Sequence, residues 1–309
     1  MLTYLIVFLI LAVLFVTRAS SAYRVPHART SWLASGIGAL AILTLGPVIP
    51  VEELDGFLGG TNLIYLVQCI LATLAFSLFA RAALITDTHL LLPARTWPVL
   101  LWCAVFCVPF FFIKRREPTA DLFIRVHIDQ LASVLCASLY MLGIAAISTR
   151  LLLGTRNKSD RVYWLFRLGA TLAIAGIATQ IAALILDHFK IGPYALADFF
   201  YDWFNPLFYG GVITIGLGMG VFAISRWGRT RRLKKRIREL ENLLRARGIQ
   251  VPSTSGDELS YAVYTLIVWI TDNVINGDIV LSPEEALVVE ESELWIERKL
   301  PQLDQLAAL

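Results

Sequence analysis

Long apolar runs alternate with short polar segments up to about residue 225, where the pattern changes. A helix needs about 20 mainly apolar residues to cross the hydrocarbon core of a bilayer. Seven runs approach that length, at 2–16, 32–51, 63–85, 97–113, 130–153, 163–186 and 206–225. The pattern therefore predicts an all-α fold, a polytopic bundle of seven transmembrane helices over 1–225.

A dense basic segment follows the last run and predicts the orientation. Ten Lys or Arg residues lie between Arg226 and Arg247. Positive charge next to a span is retained on the cytoplasmic side of the membrane. The segment 226–248 is therefore predicted to be a basic juxtamembrane helix, and 249–309 a cytosolic helical module.

The loops between the runs support the same topology. The first charge, Arg18, comes after the first run, so that run is predicted to be an uncleaved span with its N-terminus outside. The loop 18–30 is basic and the next loop, EELDGFLGGTN, is acidic, as expected for inner and outer loops. The loop KRREPTADLFIRVHID is an exception, since it places four basic residues outside.

The polar tail predicts three short helical elements. Leu233, Ile237, Leu240 and Leu244 follow the spacing of a short coiled-coil seam, or of a solvated helix that packs one stripe on its own protein. Gly248 and the linker VPSTSGD end this helix. The second helix, 258–275, is flanked by acids and too short to span a membrane. The segment Ser282-Pro283-Glu284-Glu285 has the pattern of a capping box and predicts a third helix.

Composition excludes a single soluble domain for the whole chain. The chain is 57% hydrophobic and only 17% charged, which is far from the composition of a globular soluble protein. The net charge of +3 combines a basic segment with an acidic tail, so it gives no support for nucleic-acid binding. The basic cluster instead predicts contact with anionic inner-leaflet lipids. The residues expected to make it are Arg229, Arg231, Arg232, Lys234, Lys235 and Arg236.

One group of titratable residues is a candidate ligand site. His127, Asp129, Asp187 and His188 all fall at the predicted outer boundary of the fifth and sixth spans. Imidazole with carboxylate binds divalent cations and responds to pH. The alternative is that these are interfacial polar residues that contact water and headgroups.

Other polar and small residues inside the runs are predicted to serve packing. Cys103 and Cys107 share a helix face, which suits either a soft metal or small apolar packing residues. Gln and Asn side chains in spans usually link helices. Gly216 and Gly220 form a GxxxG pair that permits close helix approach, within the bundle or in a homo-oligomer.

The segment DGFLGGTNLIYLV, entering the third span, resembles a family of uncharacterised actinobacterial membrane proteins. Members have seven predicted spans, a cytosolic C-terminal domain of unknown function and a catalogue label of transporter. The resemblance implies a bacterial plasma-membrane location. It implies no catalytic or ligand residues.

Two functional classes remain open at this stage. A membrane sensor or signalling adaptor would couple the bundle to a cytosolic protein partner of the tail. A small-solute transporter is the alternative. No acid or Lys lies at the middle of any run, whereas ion-coupled carriers normally show one, and no enzyme or cofactor motif is present. The pattern favours the sensor.

Overall fold

The computed structural model describes residues 2–24, 26–84, 97–158, 160–251 and 259–297, with side chains omitted at 21, 24, 26, 27, 226, 229 and 260. Its described residues form eleven helices and no strand, which confirms the all-α prediction. The helices are α1 Leu2–Arg24, α2 Pro26–Leu43, α3 Val51–Gly56, α4 Leu63–Leu84, α5 Trp97–Phe111, α6 Phe123–Val126, α7 Leu131–Thr155, α8 Val162–Phe189, α9 Tyr194–Arg245, α10 Leu259–Ile275 and α11 Pro283–Glu297. Residues 252–257 of the predicted linker VPSTSGD and the Arg229 side chain lie outside the described residues.

Five of the described helices are long and apolar enough to cross a membrane, namely α1, α4, α7, α8 and α9. This is the composition of a multi-pass membrane protein. The predicted count of seven spans is not confirmed, because α2 and α5 do not reach the same length and hydropathy. With 15 residues, α5 extends about 22 Å at 1.5 Å per residue, short of a core of about 30 Å.

The second predicted span had a wrong end, and the helix that contains the seventh is longer than the predicted span. Helix α2 ends at Leu43 instead of continuing to position 51, and the chain turns at Gly46, whose φ is +79°, directly before Pro47. Helix α9 begins at Tyr194, well before the predicted start at Pro206. The aromatic segment assigned to an outer loop is therefore largely the first part of α9.

The chain divides into two compact units, a bundle unit (Met1–Val221) and a tail unit (Phe222–Leu309). Helix α9 contributes residues to both. In the bundle unit, α2 packs against α1 and α4, and α7 packs against α4, α5 and α8. Large apolar side chains such as Phe106, Ile144, Phe166 and Leu184 are completely buried there.

Glycines bring α8 and α9 into direct backbone contact. A Cβ on Gly211 would lie 2.7 Å from the Gly169 carbonyl oxygen, and a Cβ on Gly176 would lie 2.7 Å from the Phe208 backbone nitrogen. No L side chain fits at these positions without displacing backbone. Small residues are how helices in lipid approach closely. The predicted GxxxG pair, Gly216 and Gly220, faces α1 of the same chain at ordinary van der Waals distance.

Arg167 joins the end of α7 to the start of α8. Its Nε donates to the Thr155 carbonyl oxygen at 3.0 Å, and its Nη2 also reaches the carbonyl of Lys158. The last carbonyls of a helix lack partners within it and carry the negative end of the helix dipole. A guanidinium placed there donates hydrogen bonds to these carbonyls and puts positive charge at the negative end of the dipole. It thereby holds the α7–α8 hairpin together.

The tail unit has its own apolar core. Leu240 and Leu244 of α9 are fully buried with Val263, Leu266 and Ile270 of α10, and residues of α11 complete the cluster. The seam predicted at the start of this segment thus packs on its own chain, which matches the solvated-helix alternative rather than a coiled coil between chains.

The start of α11 confirms the predicted capping box. The Ser282 backbone N–H donates to Glu285 Oε2 at 2.8 Å, and the Glu285 N–H donates to Ser282 Oγ at 3.3 Å. Arg247 adds an ion pair of 2.5 Å to the same carboxylate. Together these contacts lower the pKa of Glu285 to about 2, with the Arg247 hydrogen bond as the largest cause.

Candidate functional site

His127 is buried and bonded on both sides of its ring. Its Nδ1 lies 3.0 Å from the Phe123 carbonyl oxygen and its Nε2 lies 2.8 Å from the Arg115 carbonyl oxygen. Carbonyl oxygens only accept, so the nitrogen that donates depends on the tautomer. Both ring nitrogens therefore lie against the backbone, one in α6 and the other in the preceding loop.

His188, at the end of α8, is used in the same way. Its Nδ1 lies 2.6 Å from the carbonyl oxygen of Ile128, the residue between His127 and Asp129. The end of α8 and the segment before α7 are thus neighbours. Asp129 is exposed, and Asp187 Oδ2 accepts a hydrogen bond of 3.3 Å from the Tyr201 hydroxyl.

Arg125 and the first turns of α9 form a polar network that sequence patterns did not reveal. Arg125 Nη2 pairs with Asp198 Oδ1 at 2.7 Å, and its guanidinium lies 4.4 Å from the centre of the Tyr201 ring. Tyr201 in turn binds Asp187 of α8. We call Arg125, Asp187, Asp198 and Tyr201 the outer network, after the side of the membrane that the sequence predicts for them. It joins the α6 segment, α8 and α9, and only its connection in space distinguishes its members from other interfacial residues.

The described residues show no metal centre. No group of three or more His, Cys, Asp or Glu among them is placed to hold an ion. All four cysteines are free, and Cys103 is buried while Cys107, on the same helix face, is half-buried. The Gln130 carboxamide links two segments as predicted, since it accepts from the Lys114 N–H at 2.8 Å and donates to the Lys114 carbonyl at 3.0 Å.

The segment DGFLGGTN forms a rigid junction around one buried carboxylate. Asp55 has no solvent exposure and accepts hydrogen bonds from the backbone N–H groups of Asn62 at 2.7 Å and Ile64 at 2.9 Å. The Thr119 hydroxyl donates to it at 2.6 Å. Asn62, with φ of +57°, bonds the Ala120 N–H and two carbonyls of the same loop. We call this the Asp55 junction.

A cavity of about 50 Å³ lies inside the bundle unit, between α1, α2, α4, α7 and α9. Small residues of α2 and α4 border it, including Gly38, Ala41 and Ala72, and the rest of its lining is aliphatic and aromatic. Polar atoms come only from Gln68, Tyr140 and Tyr209. No charged residue lines the cavity, so it suits an apolar group rather than an ion.

The predicted lipid-contact residues are not equivalent in the structure. Arg231, Arg232 and Lys234 are exposed and form no ion pair with any described residue. Lys235 pairs with Glu239 at 3.4 Å, and half-buried Arg236 lies 4.0 Å from Glu291 of α11. Arg236 thus contributes to packing of the tail unit, and the first three remain the open candidates for anionic headgroups.

Comparisons of the chain with protein-family models, with curated proteins and with solved structures gave no match. The resemblance of the segment 55–67 to an actinobacterial family therefore stays a prediction. Structure gives that segment a physical role of its own, as the Asp55 junction.

Proposed function

We propose that this protein is a sensor or signalling adaptor of the bacterial plasma membrane. The bundle unit responds to a signal from outside or from the bilayer, and the tail unit binds a cytosolic protein partner. The observation that carries the proposal is that the single helix α9 takes part in three separate sets of contacts. One helix supplies Asp198 and Tyr201 to the outer network, Phe208 and Tyr209 to the cavity, and Leu240 and Leu244 to the core of the tail unit.

Such a helix is a physical means of coupling. A change in the outer network or in the cavity alters contacts that α9 makes in the bundle unit, and small shifts of a helix are amplified where packed elements have two arrangements. The tail core includes α9 side chains, so a shift of α9 bears on α10 and α11 directly. A transporter of polar solutes needs polar groups along its path, and the cavity lining has few.

The experiment rotates the part of α9 that contributes to the tail core about the helix axis, relative to the part that packs in the bundle unit. Two residues inserted after Gly228 precede Leu233, so the tail core keeps all its side chains while the downstream helix rotates by about 200° at 3.6 residues per turn. Seven residues inserted at the same place rotate it by about 700°, which nearly restores the phase, and serve as the matched control.

The readout is the transcript profile of the host relative to a strain lacking the gene. We expect the two-residue insertion to resemble the deletion and the seven-residue insertion to resemble the wild type, with equal membrane insertion of both. If both insertions and a truncation after Gly248 preserve the wild-type profile, the sensor proposal is wrong. Solute uptake by the truncated protein in liposomes would then favour the transporter.

Orientation is tested separately with single cysteines in a cysteine-free chain. Phe57 is 88% exposed and belongs to the proposed outer side, while exposed Arg238 belongs to the proposed cytosolic side. An impermeant thiol reagent added to intact cells should label Phe57→Cys and should label Arg238→Cys only after permeabilisation. The reverse pattern would refute the orientation.

A further inference from the structure

We infer that the cavity in the bundle unit binds the hydrocarbon chain of a single-chain amphiphile from the surrounding membrane, such as a free fatty acid. The cavity is lined by apolar side chains apart from Gln68 and two tyrosines. A buried water needs two to four polar partners, so most of this space does not suit ordered water. A hydrocarbon chain meets such a lining without losing hydrogen bonds.

The size of the cavity selects a slender occupant. A water-sized probe sphere occupies about 10–15 Å³, so a volume of about 50 Å³ leaves room only for a narrow apolar group. A Cβ on Gly38 would already lie 3.2 Å from Leu11 and 3.6 Å from Phe79, which shows how narrow the cavity is on the α2 side. The space fits part of one chain and excludes a fused-ring lipid.

The mouth of the cavity has an unused polar group. Leu45, Gln68, Ala72 and Val212 are half-buried, whereas deeper lining residues such as Ala41 and Ile215 are buried. The Gln68 carboxamide has no hydrogen-bond partner among the described residues. It is the sixth residue of α4, about 8 Å from the start of that helix at 1.5 Å per residue. A headgroup bound there would lie near the end of the bundle, with its chain directed inward.

Two tyrosines also line the cavity, and both are buried. The Tyr209 ring lies edge-on to the Tyr4 ring with centroids 4.9 Å apart, and the Tyr4 hydroxyl donates to Asn205 Oδ1 at 3.5 Å. Tyr140 is buried beneath them, with a relative exposure of 4%. Gln68 is thus the lining residue best placed to bind an external headgroup.

An occupant would contact α9 directly. Phe208, Tyr209, Val212 and Ile215 of that helix form one wall. A bound amphiphile in contact with this wall would be the signal that the proposed sensor detects. Only this consequence rests on the proposed function. Binding itself is a separate claim with its own measurement.

The test uses the full chain in nanodiscs with a fatty acid that carries a diazirine on its chain. After irradiation, labelled peptides are mapped by mass spectrometry, and site-specific labelling is defined as that which excess unlabelled fatty acid removes. We expect specific labels on α4 and α9 residues that line the cavity. A phospholipid with the same diazirine chain is the matched comparison. Competed labelling of these residues by the phospholipid but not by the fatty acid would overturn the choice of a single-chain occupant.

Two variants and one matched control decide the result. Ala72→Leu fills the cavity and should abolish specific labelling, and Ala104→Leu, the same change at an exposed position of α5, should leave it intact. Gln68→Leu keeps the side-chain size, removes the headgroup contact and should weaken labelling even if Ala72→Leu fails to fold. Labels spread over exposed positions, or specific labels unaffected by Ala72→Leu and Gln68→Leu, would overturn the inference. If binding is specific but hosts carrying the wild type and Ala72→Leu have the same transcript profile, binding stands and only the amphiphile as the signal of the proposed sensor is refuted.

Discussion

Replacing Asp55 with alanine should strongly destabilise the bundle unit. The carboxylate accepts three hydrogen bonds of 2.6–2.9 Å, two of them from backbone N–H groups, and it is completely buried. Alanine leaves all three donors without a partner in a site that water does not reach.

The magnitude follows from the number of bonds lost. Hydrogen bonds to charged groups contribute roughly 1.5–3 kcal/mol each, and a buried donor left unpaired costs roughly 1–3 kcal/mol. Losses within one network are not additive, so we expect about 3–5 kcal/mol in total. For a domain of this size that corresponds to a fall in Tm of roughly 10 °C.

The assay is thermal unfolding of the purified protein in detergent, with hydrogen exchange over the segment 55–67 as a local readout. Glu53→Ala is the matched control, since Glu53 is an exposed acid two residues away on the same short helix. We expect the control to change Tm by less than about 2 °C, as for a surface substitution within 0.5 kcal/mol. If Asp55→Ala is no more destabilised than Glu53→Ala, the junction does not hold the fold as argued.

Three further outcomes are expected. Gly211→Ala should lower the free energy of unfolding in detergent by about 1–3 kcal/mol, because its Cβ would meet the backbone of α8. Gly210→Ala, whose Cβ meets nothing within 4 Å, should be neutral or slightly stabilising. Equal effects of the two changes would contradict the helix contact. Glu285→Gln keeps the capping box but loses the ion pair with Arg247. The pKa of Glu285 is lowered to about 2 in the folded state, so the loss of stability relative to wild type should be full at pH 7 and should shrink as the pH falls from about 5 toward 2. A difference constant down to pH 3 would refute this. Arg167→Gln should speed hydrogen exchange at the end of α7 and lower stability by roughly 1–3 kcal/mol, and unchanged exchange there would exclude the proposed cap.

The sequence by itself determined the class of the fold and the local signals. Apolar runs near the length of a bilayer core make a multi-pass helical protein the simplest solution, because backbone groups in lipid must bond within their own helix. Ser282 and Glu285 are three residues apart, so their capping box depends on local geometry alone and could be predicted. The apolar stripe from Leu233 to Leu244 was likewise visible as a helical period.

Only the tertiary structure decided which distant residues meet. Asp55 and Thr119 are separated by 64 positions, and Arg125 and Asp198 by 73, so no spacing rule connects them. The fold also places a ring nitrogen of each histidine in the predicted ligand cluster beside a backbone carbonyl, a contact that no spacing rule connects. Helix boundaries were not visible in the apolar pattern either, since α9 continues through Pro206, whereas α2 ends before a turn in which Gly46 has a φ of +79°. The cavity is a property of five helices together, and no one of them encodes it.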